Sequence, residues 1–489
     1  MRTLILSDIH MGPDGTDEVD YNIFAGADAL PPLLDSFVSP PTRVFLNGDT
    51  VDFLMNEDML TLDPNVAARQ AHAIANARST KPVFEALGRI LAGGGEVIVR
   101  IGNHDIELAL GEVQQVFRDA LGQPPEVAAR MTFMRGEQPE ILEVNGARLL
   151  LTHGEQNDRW NYIDWAHLPG PGGPEVDPES FQYPPGSMLV KGILNPAKRV
   201  FRMRFADLLK PDFQGAVLTA LAVDYTAVSM VWQRSTADLL ALLAARDSGP
   251  VTFLEDEEKI PRLDEVPELG LADLLAEANL DDEEKAALDA LFTFESGPDF
   301  FGEETVNEVE PSMWGRLSNK LSAAGLRRYA RMHRKVAAPH GQAYFELEPT
   351  DEEWAEARRL AEKFDADAVI IGHTHSARFR AGKVTDDSRP LTYINTGTWI
   401  WLMRLPEPPA PDDADWKGKL ADMDWEDYIK ELRENPTLNP AKATNVRLET
   451  RFTAALALPH PQGGAMLQLL EWRPGEGVVP LGNARVPAR

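Results

Sequence analysis

Cysteine is absent from all 489 residues of the chain. Disulfide bonds and thiolate metal ligands are therefore excluded, and any bound metal must be held by histidine, carboxylate or amide side chains. Long apolar runs are also absent, since the nearest one, at residues 216–232, is interrupted by Asp224. A membrane-spanning helix needs roughly 18 or more apolar residues, so the sequence predicts no transmembrane span.

Positive charge is scarce: the chain has 48 Lys and Arg residues against 77 Asp and Glu residues, a formal net charge of -29. A field of this sign repels nucleic acid and anionic lipid unless basic residues cluster locally, and it suits divalent cations. Hydrophobic residues at 43% and charged residues at 26% are typical of a globular protein. Residues 1–10 lack the pattern of a signal peptide, which predicts a cytoplasmic protein.

Short apolar runs recur along the chain, and most are followed directly by polar residues. Such runs are typical of buried strands in an α/β fold, and open α/β sheets place their ligand sites beyond the carboxyl ends of the strands. Residues 65–92 predict a helix broken by Pro82, and Asn145-Gly146 predicts a type I′ hairpin turn. The predicted strands cover residues 4–6, 44–46, 97–99, 140–144, 147–151, 368–371 and 391–394.

The strand pattern stops in the middle of the chain, where loops and helices are predicted instead. We therefore predict a first core segment at residues 1–158, an inserted, mainly helical cap at 159–364, and a second core segment at 365–489 that ends in strands and a frayed tail. Within the cap, residues 216–245 predict an apolar helix, and residues 255–310 an acidic, solvated stretch. Ordinary packing of the apolar helix is the simpler interpretation; peripheral membrane contact through the cap and the oligomeric state are left open.

Half of the ten histidines fall in the polar segments that follow the strands. A single histidine at a strand end is usually a surface or hydrogen-bonded structural residue. Several histidines together with carboxylates and an amide, all at strand ends, instead predict a metal centre. The candidate residues are Asp8, His10, Asp49, Asp52, Asn103, His104, Asp105, His153, His373 and His375.

In chain order these segments read Asp-x-His, Gly-Asp-x-x-Asp, Gly-Asn-His-Asp, His-Gly and Gly-His-x-His. The set resembles the calcineurin-like metallophosphoesterase superfamily at all five of its motifs. The resemblance covers residues 1–153 and 368–399 and gives no account of the cap. It implies an α/β fold with two stacked mixed β-sheets flanked by helices, a four-layer sandwich whose motif loops meet at one edge.

The resemblance also implies a role for each matching residue. The ligands of one divalent metal ion would be Asp8, His10, Asp49 and His375. The ligands of a second would be Asp49, Asn103, His153 and His373, so that Asp49 bridges both ions. Manganese is the expected metal, with iron and zinc as alternatives, because His, Asp and Asn side chains bind all three.

Two cations about 3.5–4 Å apart lower the pKa of a bridging water, and the resulting hydroxide attacks a phosphorus that the metals also hold. The resemblance implies that His104 is the general acid for the leaving oxygen and that Asp52 orients it. Asp105 is interpreted either as a support of its own turn or as a partner behind the ligands. Asn395 is interpreted as a support of the last ligand loop.

The sequence thus predicts a metal-dependent phosphoric ester hydrolase whose substrate is a phosphoester or pyrophosphate of a small molecule, nucleotide-linked or lipid-linked. Phe53 stands where protein Ser/Thr phosphatases of the superfamily have an arginine, which argues against a phosphoprotein substrate. Residues 7–12 and 46–53 are similar to UDP-2,3-diacylglucosamine pyrophosphatases, although those enzymes commonly have arginine at the position of His104.

Two other functions are weighed against this one. A nuclease or DNA phosphodiesterase would have similar ligands, but it needs a basic groove, and the net negative charge argues against nucleic acid as a partner. A non-catalytic scaffold that keeps the fold would be expected to have lost ligands, and none is lost here.

Basic residues of the cap fall in two runs, at residues 191–204 and 316–335. Guanidinium groups bind phosphate through two parallel hydrogen bonds. Arg199, Arg202 and Arg331 are therefore candidate substrate-binding residues. For most residues of the two runs we favour the alternative, in which they face solvent or pair with the acidic stretch.

Overall fold

The computed structural model describes residues 1–16, 19–158, 161–195, 198–199, 280–283, 285, 320, 346–384, 389–404 and 447–489. Within these residues the protein is α/β, with two mixed β-sheets flanked by helices and a separate antiparallel pair of three-residue strands. A search of the described helices finds none that is long and apolar enough to cross a membrane.

The first core segment begins and ends with strands, and most of its helices lie between β2 and β4. Its strands are β1 (Arg2–Leu6), β2 (Thr42–Asn47), β3 (Glu96–Arg100), β4 (Met131–Met134), β5 (Glu140–Val144) and β6 (Ala147–Leu151). Its helices are α1 (Leu30–Asp35), α2 (Pro64–Asn76), α3 (Lys81–Ala92), α4 (Gly111–Ala120) and α5 (Pro125–Ala128).

The remaining described elements come from the insert and the second core segment. The helices are α6 (Pro185–Leu189), which continues into a π-helical turn (Val190–Leu194), and α7 (Asp351–Lys363). The strands are β7 (Ala368–Ile371), β8 (Ala377–Lys383), β9 (Pro390–Thr396), β10 (Leu402–Arg404), β11 (Arg447–Glu449), β12 (Phe452–Pro459), β13 (Ala465–Arg473) and β14 (Gly477–Val486).

The larger sheet has seven strands in the order β14-β13-β12-β1-β2-β3-β4, and the smaller has five in the order β5-β6-β7-β9-β8. In the larger sheet β1 to β4 are parallel, whereas β12, β13 and β14 add antiparallel pairs at one side. In the smaller sheet β6, β7 and β9 are parallel. The parallel strands of each sheet therefore direct their carboxyl ends, and the loops that follow, to one edge.

Side chains that alternate along the central strands pack into different cores. Leu4 and Leu6 of β1 pack with the helices on one face of the larger sheet. Ile5, between them, packs instead with Leu149 and Ile370 of the smaller sheet. Because neighbouring side chains of a strand point to opposite faces, a strand buried on both faces is apolar along most of its length, which explains the apolar run at residues 4–6 of β1.

Both ends of the range assigned to the cap pack against the core. Ile163 and Trp165 belong to the core that covers the larger sheet. Trp354 of α7 packs with Val369 and Tyr393 on the outer face of the smaller sheet. The apolar helix expected at residues 216–245 lies outside the described residues, as does nearly all of the acidic stretch at 255–310.

Local turn chemistry accounts for the hairpin but not for the helix break. Asn145 and Gly146 have φ of 48° and 88°, as a type I′ turn requires, so the hairpin between β5 and β6 is confirmed. The break expected at Pro82 falls instead at residues 77–80, and Pro82 lies in the first turn of α3. A proline is tolerated there because the first amides of a helix have no intrahelical partner.

The expectation of a frayed carboxyl terminus was wrong. Residues 477–486 form β14, which pairs with β13 along its length. Arg489 then forms an ion pair with Asp367, at 3.1 Å between Nε and Oδ2. The terminal residues looked polar and irregular because an edge strand has only one neighbour and need not be apolar on both faces.

Candidate metal centre

The predicted ligand residues lie at the carboxyl ends of five strands from both sheets. Asp8 and His10 follow β1, Asp49 follows β2, and Asn103 follows β3; the smaller sheet contributes His153 after β6. His373 and His375 follow β7 in the same sheet. The strands supply this convergence because parallel neighbours end at the same edge.

Asp8, His10 and His375 form a first buried cluster, whose ligand atoms can together hold a metal ion. Nε2 of His375 lies 3.3 Å from Oδ1 of Asp8 and 3.1 Å from Nε2 of His10. Asp49 borders this cluster, with Oδ2 3.8 Å from Nε2 of His10. The fold thus brings together the four residues that were predicted for one metal.

Asp49, His153 and His373 form a second cluster that can also hold a metal ion. Oδ2 of Asp49 lies 3.2 Å from Nε2 of His153, and the rings of His153 and His373 meet edge to face at 5.2 Å. Asp49 therefore belongs to the second cluster and borders the first. The contact between Asp49 and His153 also joins the two sheets, since these residues follow β2 and β6.

The hydrogen bonding of His153 leaves its Nε2 lone pair available to a metal ion. Its Nδ1 donates a hydrogen bond to the carbonyl of Asn47 at 3.0 Å. In a neutral ring, Nε2 then presents its lone pair to the carboxylate of Asp49, and a positive charge is needed between them. Burial lowers the pKa of His153, but the neighbouring Asp49 and Asp8 raise it to about 10. A proton or a metal cation meets this requirement.

A second observation points to a cation rather than to protons alone. Oδ1 of Asn103 is buried and has no hydrogen-bond partner among the described residues. An unpaired buried amide oxygen costs on the order of 1–3 kcal/mol, so it is expected to have a partner in the functional protein. Amide oxygen is a ligand for manganese and similar cations, and the residues therefore fit a metal.

Asp52 connects the first cluster to His104. Its Oδ2 accepts hydrogen bonds from Nδ1 of His104 and from Nδ1 of His10, both at 2.9 Å. Burial acts to raise the pKa of Asp52, but the two imidazoles outweigh it and hold the pKa below its usual range. Asp52 thus remains an ionised acceptor, and Nε2 of His104 is left to act on a substrate.

Backbone strain is concentrated in this centre. Seven non-glycine residues have a positive φ among those described, and five of them are predicted ligands. Such a conformation costs roughly 1–2 kcal/mol for a residue with a side chain. The five are Asp8 (52°), His10 (54°), Asp49 (51°), His373 (67°) and His375 (62°).

Two glycines leave room for the ligands. A Cβ at Gly102 would lie 2.4 Å from Oδ1 of Asp49, and one at Gly372 would lie 2.4 Å from Oδ2 of Asp8. Real Cβ atoms do not approach this closely, so each position excludes a larger residue. Gly102 and Gly372 therefore let the backbone pass close to the carboxylates of Asp49 and Asp8.

Asp105 and Asn395 hold the loops behind the ligands. Oδ2 of Asp105 accepts a hydrogen bond from the amide of Thr50, and Oδ1 accepts one from the amide of Gly102 at 2.5 Å. Asp105 therefore connects its own turn to the loop after β2. It supports that turn and also lies behind a predicted ligand loop, so both interpretations given for it apply. Nδ2 of Asn395 donates to the carbonyl of Gly372 at 3.0 Å, as expected for a support of the last ligand loop.

Of the three candidate substrate-binding arginines, only Arg199 lies within the described residues. It is half exposed, and its Nη1 lies 3.8 Å from a carboxylate oxygen of Glu57. Lys191 of the same run donates to the carbonyl of Asn56 at 2.9 Å. These two basic groups hold the loop after β2, while Arg202 and Arg331 fall among residues that the structure does not describe.

Sequence reasoning missed two residues that touch predicted ligands of the second cation, Asp158 and Asn161. Oδ2 of Asp158 lies 3.0 Å from Nε2 of His373. Oδ1 of Asn161 accepts from Nδ2 of Asn103 at 3.3 Å. Their position shortly after His153 was the available signal, because a segment that follows a ligand stays near the same site.

A comparison with family models finds no match to this chain. A comparison with curated proteins finds no match either.

Proposed function

We propose that this protein is a metal-dependent phosphoesterase of the calcineurin-like kind, with a pair of cations held at the edge where the two sheets meet. The observation that carries the proposal is the contact of 3.2 Å between Nε2 of His153 and Oδ2 of Asp49. At this contact, candidate ligands from both sheets meet at one carboxylate. The arrangement of two stacked sheets with outer helices supports the four-layer sandwich of that superfamily.

The chain's own residues have separate tasks in this proposal. When bound, the cations supply a polarised water and hold the phosphoryl oxygens. Asp49, which belongs to the second cluster and borders the first, would be the shared ligand. Asp52 accepts a hydrogen bond from Nδ1 of His104, which leaves Nε2 of a protonated His104 to give its proton to the leaving oxygen. His104 is 12% exposed on its side chain, enough to meet a substrate.

The surroundings of the centre support a small-molecule phosphoester or pyrophosphate as the substrate. Phe53 follows Asp52, is buried and packs edge to face on Phe117 at 6.4 Å. It therefore offers no cation to a phosphoprotein. The net charge of -29 also disfavours nucleic acid.

The test uses purified protein loaded with manganese, and p-nitrophenyl phosphate and its bis ester as substrates. We expect hydrolysis of at least one ester, loss of activity with a chelator, and two manganese ions per chain by elemental analysis. Asp49→Asn should lose both metal and activity. Asp35→Asn, which removes the same charge at a half-exposed pair with Arg89, should keep both.

Three results would contradict the proposal. They are a chain that binds no cation, activity that chelation leaves unchanged, and full metal content in Asp49→Asn.

A further inference from the structure

The short segment after His153 supplies polar groups that the predicted ligand set does not include. Asp158 and Asn161 belong to a turn in which the amide of Asn161 donates to the carbonyl of Asp158 at 3.1 Å. Both side chains approach ligands that come from other strands. Asp158 reaches His373, which lies 215 positions further along the chain, and Asn161 reaches Asn103.

An asparagine ligand has an orientation problem. Only its amide oxygen can bind a cation, and a half-turn of the side chain would present the NH₂ group instead. Nδ2 of Asn103 donates to Oδ1 of Asn161 at 3.3 Å. This hydrogen bond engages the NH₂ group and leaves Oδ1 of Asn103, which is buried and has no hydrogen-bond partner among the described residues, available to a cation.

Asn161 has the same ambiguity, and Asp158 removes it. Nδ2 of Asn161 donates to Oδ2 of Asp158 at 2.7 Å. A carboxylate only accepts hydrogen bonds at neutral pH, so the NH₂ end of Asn161 must face Asp158. The amide oxygen of Asn161 must then face Asn103. The hydrogen bonds therefore run in one direction, from Asn103 to Asn161 and from Asn161 to Asp158.

The same oxygen of Asp158 also selects a tautomer of His373. Oδ2 lies 3.0 Å from Nε2 of that ring. Because the carboxylate accepts, the proton of a neutral ring is on Nε2, and Nδ1 carries the lone pair that can bind a cation. One carboxylate oxygen thus determines how an imidazole from β7 and an amide from β3 present their ligand atoms.

We propose that Asp158 and Asn161 are positioning residues for the second cation, through which the carboxylate of Asp158 fixes the tautomer of His373 and the amide orientation of Asn103. This inference rests on the proposed metal centre and adds residues to it. Carboxylates that hold a ligating histidine in this way typically contribute about 10- to 100-fold to metal affinity. Neither residue is assigned a contact with the substrate.

The experiment measures binding of Mn²⁺ to the metal-free full-length protein by isothermal titration calorimetry, with electron paramagnetic resonance of free Mn²⁺ as a second count. The variants are Asp158→Asn and Asn161→Leu, which keep approximate shape. The control is Asp164→Asn in the same turn region, because Asp164 pairs with His167 rather than with a ligand.

We expect both variants to bind the first Mn²⁺ as the wild type does and the second about 10- to 100-fold more weakly. The Mn²⁺ concentration for half-maximal activity should rise by the same factor, while kcat at saturating Mn²⁺ stays near the wild-type value. The melting temperature of the metal-free protein should not change. Asp164→Asn should match the wild type throughout.

Two outcomes would overturn this inference alone: wild-type affinity for both ions in both variants, or loss of kcat at saturating Mn²⁺ with unchanged affinity. A wild-type protein that binds no Mn²⁺ would instead refute the proposed metal centre itself.

Discussion

His10 and His104 donate hydrogen bonds through Nδ1 to the same oxygen of Asp52, each at 2.9 Å. Their rings meet edge to face with centroids 4.7 Å apart. One of these histidines belongs to the first cluster, and the other is the proposed acid. A single buried carboxylate therefore orients both a candidate ligand and the group that would act on the substrate.

Because Asp52 accepts hydrogen bonds from both histidines, substitution of His104 and substitution of Asp52 should have different effects on metal binding. His104→Gln should lower kcat by about 10²- to 10⁴-fold, the usual contribution of a general acid, and leave two metals bound. Asp52→Asn should lower kcat and also weaken metal binding by about 10- to 100-fold, because His10 loses its carboxylate acceptor. Kinetics and metal titration of both variants check this. Equal metal affinity in the two variants would contradict the role of Asp52 in holding His10.

Gly102→Ala should damage the centre without adding or removing a polar group. The new Cβ would lie 2.4 Å from Oδ1 and 2.6 Å from the amide nitrogen of Asp49. Such overpacking typically costs about 1–3 kcal/mol, and here it displaces the shared ligand. We expect loss of bound metal together with a lower melting temperature.

Gly111→Ala is the matched control for this prediction. A Cβ there would meet only Pro171, at 3.8 Å, an ordinary contact. This variant should keep its metal and its melting temperature. Normal metal content in Gly102→Ala would show that the loop after β3 can move away from Asp49.

Glu107 makes the unfolding free energy depend on pH. Burial raises the pKa of this carboxyl from 4.5 to about 7, and Tyr183 donates to it at 2.8 Å. The folded state therefore holds the proton more tightly than the unfolded state. The protonated carboxyl therefore stabilises the folded state fully below pH 4.5. The free energy of unfolding then falls by roughly 3 kcal/mol as the pH rises through about 7.

Urea unfolding of the chelator-treated wild type and of Glu107→Gln, at pH 5 and pH 8, measures this effect. Glutamine keeps an oxygen for Tyr183 and has no charge at either pH. The variant should exceed the wild type by no more than about 1 kcal/mol at pH 5 and by roughly 3 kcal/mol at pH 8. A difference that does not change with pH would contradict the buried-carboxyl explanation.

Metal binding should release protons. In the metal-free protein burial lowers the pKa of His153, but Asp49 and Asp8 outweigh it and raise the pKa to about 10, so the ring is protonated at pH 7.5. A ligating imidazole must be neutral. We therefore expect about one proton from His153 to be released on metal binding, and metal affinity to increase as pH rises toward 10.

Calorimetry in two buffers with different ionisation enthalpies counts the released protons. His167→Gln, at an exposed pair with Asp164, should release as many protons as the wild type. Release of no protons at pH 7.5 would contradict a protonated His153 in the metal-free state.

Local sequence was sufficient for the elements that carry the centre. The apolar runs at β1, β2, β3, β6 and β7 predicted buried strands, because strands buried on both faces are nearly continuous apolar runs. The polar residues directly after those runs predicted the ligands. Asn145-Gly146 predicted its turn because few residue pairs adopt positive φ at both positions.

Tertiary structure decided which side chains meet. Asp158 and His373 are 215 positions apart, and their contact depends on how the second sheet stacks on the first. The sharing of one Asp52 oxygen by His10 and His104 depends on three separate loops at one edge. Neither contact has a periodicity or a turn signal that sequence could reveal.

The sequence by itself determined the strands, their polar ends and the chemical types of the predicted ligands, since each follows from short-range burial and turn preferences. Only the tertiary structure decided the tautomers, the amide orientations and the residues behind the ligands. These depend on distances of about 3 Å between groups from different strands, and such distances exist only after both sheets have packed.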